Sequence, residues 1–169
     1  PGPVEGYRCV GPAWANASNT PYRKFKSTDY QGGNCTPFIA YWPDVIAPGS
    51  KSDQVGHIID IMPTFMEIAG ATYPGQINGR KTKPIPGKSL LPIFEGKQRR
   101  AHEVLYWQYG GAKAVRAGKW KLVSLGKSGW ELYDLEKDRT ELHNLAAKYP
   151  ERVEQMAALW DAWWKASRG

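Results

Sequence analysis

Val104-Leu105-Tyr106-Trp107, Lys113-Ala114-Val115-Arg116, Trp120-Lys121-Leu122-Val123 and Trp130-Glu131-Leu132-Tyr133 are four short runs of strand-forming residues. Gly110-Gly111, Gly118-Lys119 and Gly126-Lys127-Ser128-Gly129 separate them. β-Branched and aromatic side chains suit a pleated, half-buried surface, and glycine adopts the positive φ that tight hairpins need. The spacing therefore predicts an antiparallel meander. Downstream, Val153, Met156, Trp160 and Trp163 recur at three- and four-residue steps within residues 151–166. That is one apolar stripe of a helix, and Pro150 suits its first turn. A small sheet and a helix each have an apolar face to bury, so the tryptophans read as packing rather than as a ligand platform.

Upstream, Phe38-Ile39-Ala40-Tyr41-Trp42 is a short apolar run between Pro37 and Pro43, the length and composition of a buried strand. Turn signals follow at Pro48-Gly49-Ser50. Ile58, Ile59, Ile61, Met62, Phe65, Met66, Ile68 and Ala69 then give a helical apolar face. Asp60 suits its N-cap, Pro63 its first turn and Gly70 its C-terminal stop. Residues 73–88, rich in Pro, Gly and Lys, read as a long surface loop, and Ser89–Phe94 as a helical turn before Gly96. Residues 1–23 read as irregular.

The chain has 169 residues, enough for one ordinary domain with a core. Hydrophobic residues make up 41% and charged residues 23%, a globular balance. Eight Trp and nine Tyr must be packed or presented to a neighbour. The net charge of +7 suits either a soluble basic surface or attraction of an anionic substrate. The charges are spread along the chain and no nucleic-acid-binding motif is present, so no nucleic-acid partner is expected. No apolar stretch is long enough to span a bilayer. Cys9 and Cys35 make no framework and no metal spacing. Asn16-Ala17-Ser18 and Asn34-Cys35-Thr36 match the glycosylation triplet, a pattern common by chance. The abrupt start at Pro1-Gly2-Pro3 reads as that of a fragment.

No self-contained active site is legible. His57, His102 and His143 lie in no metal-ligand pattern and read as surface or capping residues. There is no nucleophile elbow and no phosphate-binding loop. One segment stands apart: Tyr22-Arg23-Lys24-Phe25-Lys26-Ser27-Thr28-Asp29-Tyr30-Gln31-Gly32-Gly33. A basic cluster runs into a double glycine, which allows close backbone approach. On the residues alone it is either a solvated loop or an anion contact.

Its pattern resembles the sulfatase family. Lys26, Gly32-Gly33, Thr36-Pro37 and the apolar run ending Tyr41-Trp42-Pro43 are similar to that family's C-terminal half. So are Asp60-Ile61-Met62-Pro63-Thr64-Phe65-Met66-Glu67-Ile68-Ala69-Gly70 and Pro86-Gly87-Lys88-Ser89-Leu90-Leu91-Pro92. Arg116-Ala117-Gly118-Lys119-Trp120-Lys121-Leu122, Glu131-Leu132-Tyr133-Asp134-Leu135, and Asp138, Glu141 and Asn144-Leu145 look like its terminal meander and tail. Arg139 stands where the family often has proline. Each motif is weak alone, but they fall in the right order from about Gly11 to the end.

The resemblance implies an α+β fragment of an α/β sulfatase: residues 1–95 closing the catalytic domain, with part of its sheet and a helix. Residues 96–169 form a small antiparallel sheet packed on a C-terminal helix. The implied reaction is sulfuric ester hydrolysis, with Lys26 contacting the sulfate. A formylglycine nucleophile and a divalent cation, usually calcium, are implied for the full-length parent. Both belong to an N-terminal part that this chain lacks, so the chain is expected to bind neither and to be inactive alone. Cys35-Thr36-Pro37-Phe38-Ile39 starts like the formylglycine motif C-x-P-x-R but ends in Ile, so Cys35 reads as a buried structural thiol. Implied partners are a sulfate-ester substrate and the N-terminal part of the same protein, in a periplasmic, secreted or lysosomal parent. Two alternatives stand beside this. One is a phosphate or phosphonate monoester hydrolase of the same alkaline-phosphatase-like superfamily. The other is a non-catalytic basic module that binds anions.

Overall fold

The meander forms as an antiparallel sheet of β3 (Val104–Tyr109), β4 (Ala112–Ala117), β5 (Trp120–Leu125) and β6 (Glu131–Asp134), in sequential order. The computed structural model describes residues 11–168, so Cys9 and residues 1–10 of the segment read as irregular lie outside the described residues. Tyr109 pairs with Ala112 and Ala117 with Trp120, leaving two-residue turns at Gly110-Gly111 and Gly118-Lys119. Gly110 and Gly118 take φ of 53° and 58°, the left-handed values such turns demand.

Strand alternation gives this sheet two covered faces. Val115, Leu122 and Leu132 are buried against Met156 and Trp160 of α5 (Pro150–Arg168). The predicted tryptophan stripe is therefore core. Trp163 stacks on Tyr106 at 5.0 Å between ring centroids, and the Trp160 indole N–H donates to the Trp107 carbonyl at 3.0 Å. The opposite face, with Ala114, Val123 and Tyr133, is buried against Tyr30 of the segment before the double glycine. Burial on both faces explains why Lys121 through Ser124 are all buried.

These strands, α5 and residues 11–37 make one unit, and residues 38–102 make another. In the first unit Gly11–Ser18 is a helix, α1, where an irregular segment is expected. Ala13, Ala15 and Ala17 outweigh the local Gly, Pro and Asn, and Ser18 and Asn19 side chains donate to the Trp14 and Ala15 carbonyls. A four-residue helical turn, α2 (Gln31–Asn34), contains the double glycine.

The second unit holds a 3-10 turn (Ile58–Asp60), α3 (Ile61–Ile68) and α4 (Leu91–Phe94). Gly70 at φ 60° follows α3, as the sequence predicts. Three expectations are corrected here. Asp60 is not a side-chain N-cap, because its carboxylate is taken by other loops, and His57 Nδ1 instead accepts from the Ile59 N–H. The 73–88 loop contains a hairpin, β1 (Gln76–Ile77) with β2 (Arg80–Lys81), turned by Asn78-Gly79 at φ 50° and 76°. Asn-Gly is the preferred pair for a turn with positive φ at both positions. The run from Phe38 to Trp42 forms no strand, and Phe38, Ile39 and Tyr41 are 61%, 90% and 89% exposed. A buried strand needs a neighbour for its N–H and C=O groups, and the described residues of this unit offer only the self-paired hairpin.

Candidate functional site

Lys26 lies in an irregular loop whose two flanks are tied to α2 and to the sheet. Lys24 and Ser27, on either side, take φ of 67° and 74°. The Gly32 N–H donates to the Arg23 carbonyl at 2.9 Å. A Cβ on Gly32 would overlap the carbonyls of Arg23 and Lys24, and one on Gly33 would overlap that of Thr28. The double glycine thus serves close backbone approach, as its sequence suggests. The Asn34 side chain donates to the Asp29 carbonyl at 3.0 Å. Residues 23–24 and 28–29 are therefore both fastened to α2, and Lys26 between them is exposed, with no hydrogen bond or ion pair to a described residue.

Beneath this loop lies a polar network, half-buried at Arg23 and Glu131 and fully buried further in. Arg23 Nη1 donates to Glu131 Oε2 at 3.0 Å, to the Tyr133 hydroxyl at 2.7 Å and to the Glu141 carbonyl at 3.2 Å. Tyr133 donates its proton to Glu131. Burial pushes the Glu131 carboxyl up, but the tyrosine hydrogen bonds and the Arg23 charge outweigh it and hold the group below its ordinary value. Burial, then the hydrogen bond to Glu131, drives the Tyr133 phenol well upward, so it stays a donor. Deeper in, Lys121 Nζ pairs with Glu141 Oε1 at 2.7 Å and donates to Gln31 Oε1 at 3.1 Å and Asn34 Oδ1 at 3.4 Å. Glu141 Oε2 accepts the Gln31 N–H at 2.7 Å. Burial lowers the Lys121 ammonium from its ordinary value, with Glu141 opposing. Asp29 is 4% exposed, and its Oδ2 has no hydrogen-bond partner. Burial pushes its carboxyl up to about 6, opposed by Lys121.

Cys35 caps the C-terminal end of α2. It is half-buried and carries no disulfide, not the buried thiol the sequence suggests. Thr36, Pro37 and Phe38 after it are exposed instead of entering a buried strand. His143 is exposed and His57 caps the 3-10 turn, as anticipated for both. His102 is neither surface nor cap. Its side chain is 6% exposed, with Nε2 2.7 Å from Asp60 Oδ1.

Asp60 is the hub of the second unit. It accepts from the N–H groups of His57 and Lys88 at 2.9 and 2.8 Å, and from Arg99 Nη2 at 2.8 Å. Arg99 also donates to the carbonyls of Val55 and Lys88. Thr64 joins the same segments, accepting the Leu90 N–H at 2.8 Å. The hub ties the start of α3 to Lys88-Ser89-Leu90, the two stretches quoted as separate motifs. With every carboxylate position engaged and all three side chains buried, it is a structural knot rather than an open site.

The described residues contain no cluster of three or more His, Cys, Asp or Glu able to hold a metal ion. Asp60, Glu131 and Glu141 are each taken by cations or amides on their own unit. These carboxylates do not fit a calcium site.

A four-stranded meander backed by a C-terminal helix is the architecture of a sulfatase C-terminal region. The family model described as N-sulphoglucosamine sulphohydrolase, C-terminal, matches residues 25–165, and the chain belongs to that sulfatase family. An uncharacterized sulfatase of Schizosaccharomyces pombe is 34% identical over 157 residues, covering 89% of this chain and 28% of that protein. The ulvan-active sulfatase of Formosa agariphila is 30% identical over 171 residues, covering 77% of this chain and 33% of its own length. A solved Bacteroides thetaiotaomicron structure, from a locus for metabolism of multiple glycosaminoglycans, superposes with a TM-score of 0.69 at 25% identity. It is covered over 31% of its length by 82% of this chain. The chain thus spans about a third or less of these relatives.

Proposed function

We propose that the complete protein is a sulfuric ester hydrolase and that this chain supplies Lys26 to the sulfate group. The observation that carries this is local: Lys26 is an exposed ammonium without a partner among the described residues, on a loop whose flanks are fastened on both sides. Holding a lysine in place while leaving its charge unpaired suits a ligand contact better than a stabilising one. An ammonium is a compact charge with three donors. It can hold sulfate oxygens and the charge that develops on the leaving oxygen.

The nucleophile, formylglycine, and the divalent cation, calcium, come from the N-terminal part of the protein, as in the family this chain belongs to. Residues 1–95 close the catalytic domain and residues 96–169 form the small C-terminal subdomain, with the Lys26 segment docked on the subdomain's sheet. The N-terminal part also covers the exposed apolar residues of the second unit, among them Ile39, Tyr41, Met62 and Phe65. The family members it matches have about three times its length or more, which leaves ample chain to do so.

The test is Lys26→Ala in the complete enzyme, assayed on an aryl sulfate and an aryl phosphate. Loss of one such donor lowers kcat by about 100-fold or more. Activity on the sulfate within twofold of the parent would overturn the role of Lys26, and a preference for the phosphate would overturn the sulfatase reading. The 169-residue chain alone is expected to show no sulfatase activity above its own Lys26→Ala variant.

A further inference from the structure

The Lys121–Glu141 pair poses a question that packing does not answer. Lys121 is 1% exposed on β5, and Glu141 is fully buried. A buried ion pair contributes little net stability compared with apolar residues of the same volume, since desolving two charges offsets their attraction. What this pair does contribute is geometry. The single ammonium reaches the first and last side chains of α2, Gln31 and Asn34, while its partner carboxylate holds the first α2 amide. In turn α2 holds both flanks of the Lys26 loop, through Gly32 to Arg23 and through Asn34 to Asp29. No described side chain bonds Lys26 directly, so its location depends on these flanks.

We propose that Lys121, with Glu141, is a positioning residue that fixes the Lys26 ammonium against the sulfate. The inference rests on the assignment of Lys26 made above. Lys121 does not touch substrate. It acts through α2, whose two ends it bonds. Directionality supports the role. A hydrophobic contact would let α2 slide on the sheet, whereas one ammonium bonded to a side-chain oxygen at each end of α2, with its partner carboxylate on the first α2 amide, fixes its rotation and its height.

The experiment is a double-mutant cycle in the complete enzyme. Replacing only one charge would strand the other in the interior, so the pair is neutralised together as Lys121→Met with Glu141→Gln, which keeps an acceptor for the Gln31 amide. The expected result is a folded enzyme whose kcat on an aryl sulfate falls about 10- to 100-fold, with KM changed less than threefold. In the Lys26→Ala background the same replacement is expected to change kcat by less than twofold, because its effect runs through Lys26. A purely structural role would lower activity equally in both backgrounds, and that outcome overturns the proposal. So does an unchanged kcat in the enzyme that retains Lys26. If Lys26→Ala itself retains full activity, the assignment of Lys26 fails first, and the two failures are told apart by that single variant. Should the neutralised pair not fold, Gln31→Leu leaves both charges and the Asn34–Asp29 bond in place and cuts one tie from Lys121 to α2. The same cycle then applies, with an expected three- to tenfold loss confined to the Lys26-containing enzyme.

Discussion

Asp29 carries a cost that nothing beside it removes. Its Oδ2 is buried without a hydrogen-bond partner, three residues from Lys26. Desolvation raises its carboxyl from 3.8 to about 6, which corresponds to at most about 3 kcal/mol. A raised carboxyl favours the folded state in its protonated form. The chain is therefore free of this penalty below pH 3.8, and it loses stability as pH rises through 6. Asp29→Asn is expected to stabilise the chain at pH 7.5 and to leave it unchanged at pH 3.5, measured by urea unfolding at both. Lys121 keeps Glu141 as its counter-charge, so the substitution strands no cation. Destabilisation at pH 7.5 would mean that the carboxylate has a role the free oxygen does not reveal. Gly32→Ala makes the opposite prediction. Its Cβ meets backbone carbonyls that cannot swing aside, so the Lys26 loop must lift and both thermal stability and activity must fall. Gly32 and Lys26 were legible as a local cluster of basic residues and glycines. Lys121, Asp29 and Glu141 were not, because their meaning lies in contacts 90 and 110 residues apart in sequence. The one available signal was a lysine inside an otherwise apolar strand.

At the scale of elements, what could be read followed from periodicity. The meander and α5 were legible because period-2 and period-3.6 patterns report which face is buried, and glycine pairs mark the turns. Trp160 tests that packing. It is nearly buried, stacks on Trp164 at 5.5 Å and bonds Trp107, so Trp160→Ala is expected to cost about 3–5 kcal/mol. Trp14 on α1 is 72% exposed, and Trp14→Ala is expected to change stability by less than about 0.5 kcal/mol. Chemical denaturation of the two variants side by side separates core tryptophan from surface tryptophan. Asp60 shows where periodicity fails. Its position before an apolar helix suggests a cap, yet beside the His57 N–H its partners come from residues 88, 99 and 102. Asp60→Ala would leave Arg99 buried without a counter-charge and two amides without acceptors, an expected loss of about 3–5 kcal/mol in the same measurement.

On the scale of the whole molecule, the apolar face of the second unit calls for a cover. Ile58, Met62 and Phe65 follow helical spacing and are all exposed, lining an open groove of about 550 Å³ with Ile61 and Met66. Periodicity announced an apolar face here correctly, but a period cannot say what the face packs against. The neighbouring run at Phe38, Ile39 and Tyr41 has strand composition and no strand partner among the described residues. Two such surfaces in one unit argue for a cover supplied by the rest of a protein whose relatives are far longer, since contiguous exposed apolar surface is rare on a free-standing domain. The prediction has two arms. The chain alone is expected to bind a fluorescent apolar probe, and Met62→Lys with Phe65→Lys to abolish most of that signal while leaving the sheet and α5 intact by circular dichroism. With the face covered by the N-terminal part in the complete enzyme, as proposed, the same pair of substitutions would bury two charges and is expected to lower the unfolding temperature sharply. A complete enzyme that tolerates both lysines without loss would show the face to be free, and the cover would have to be sought in another molecule.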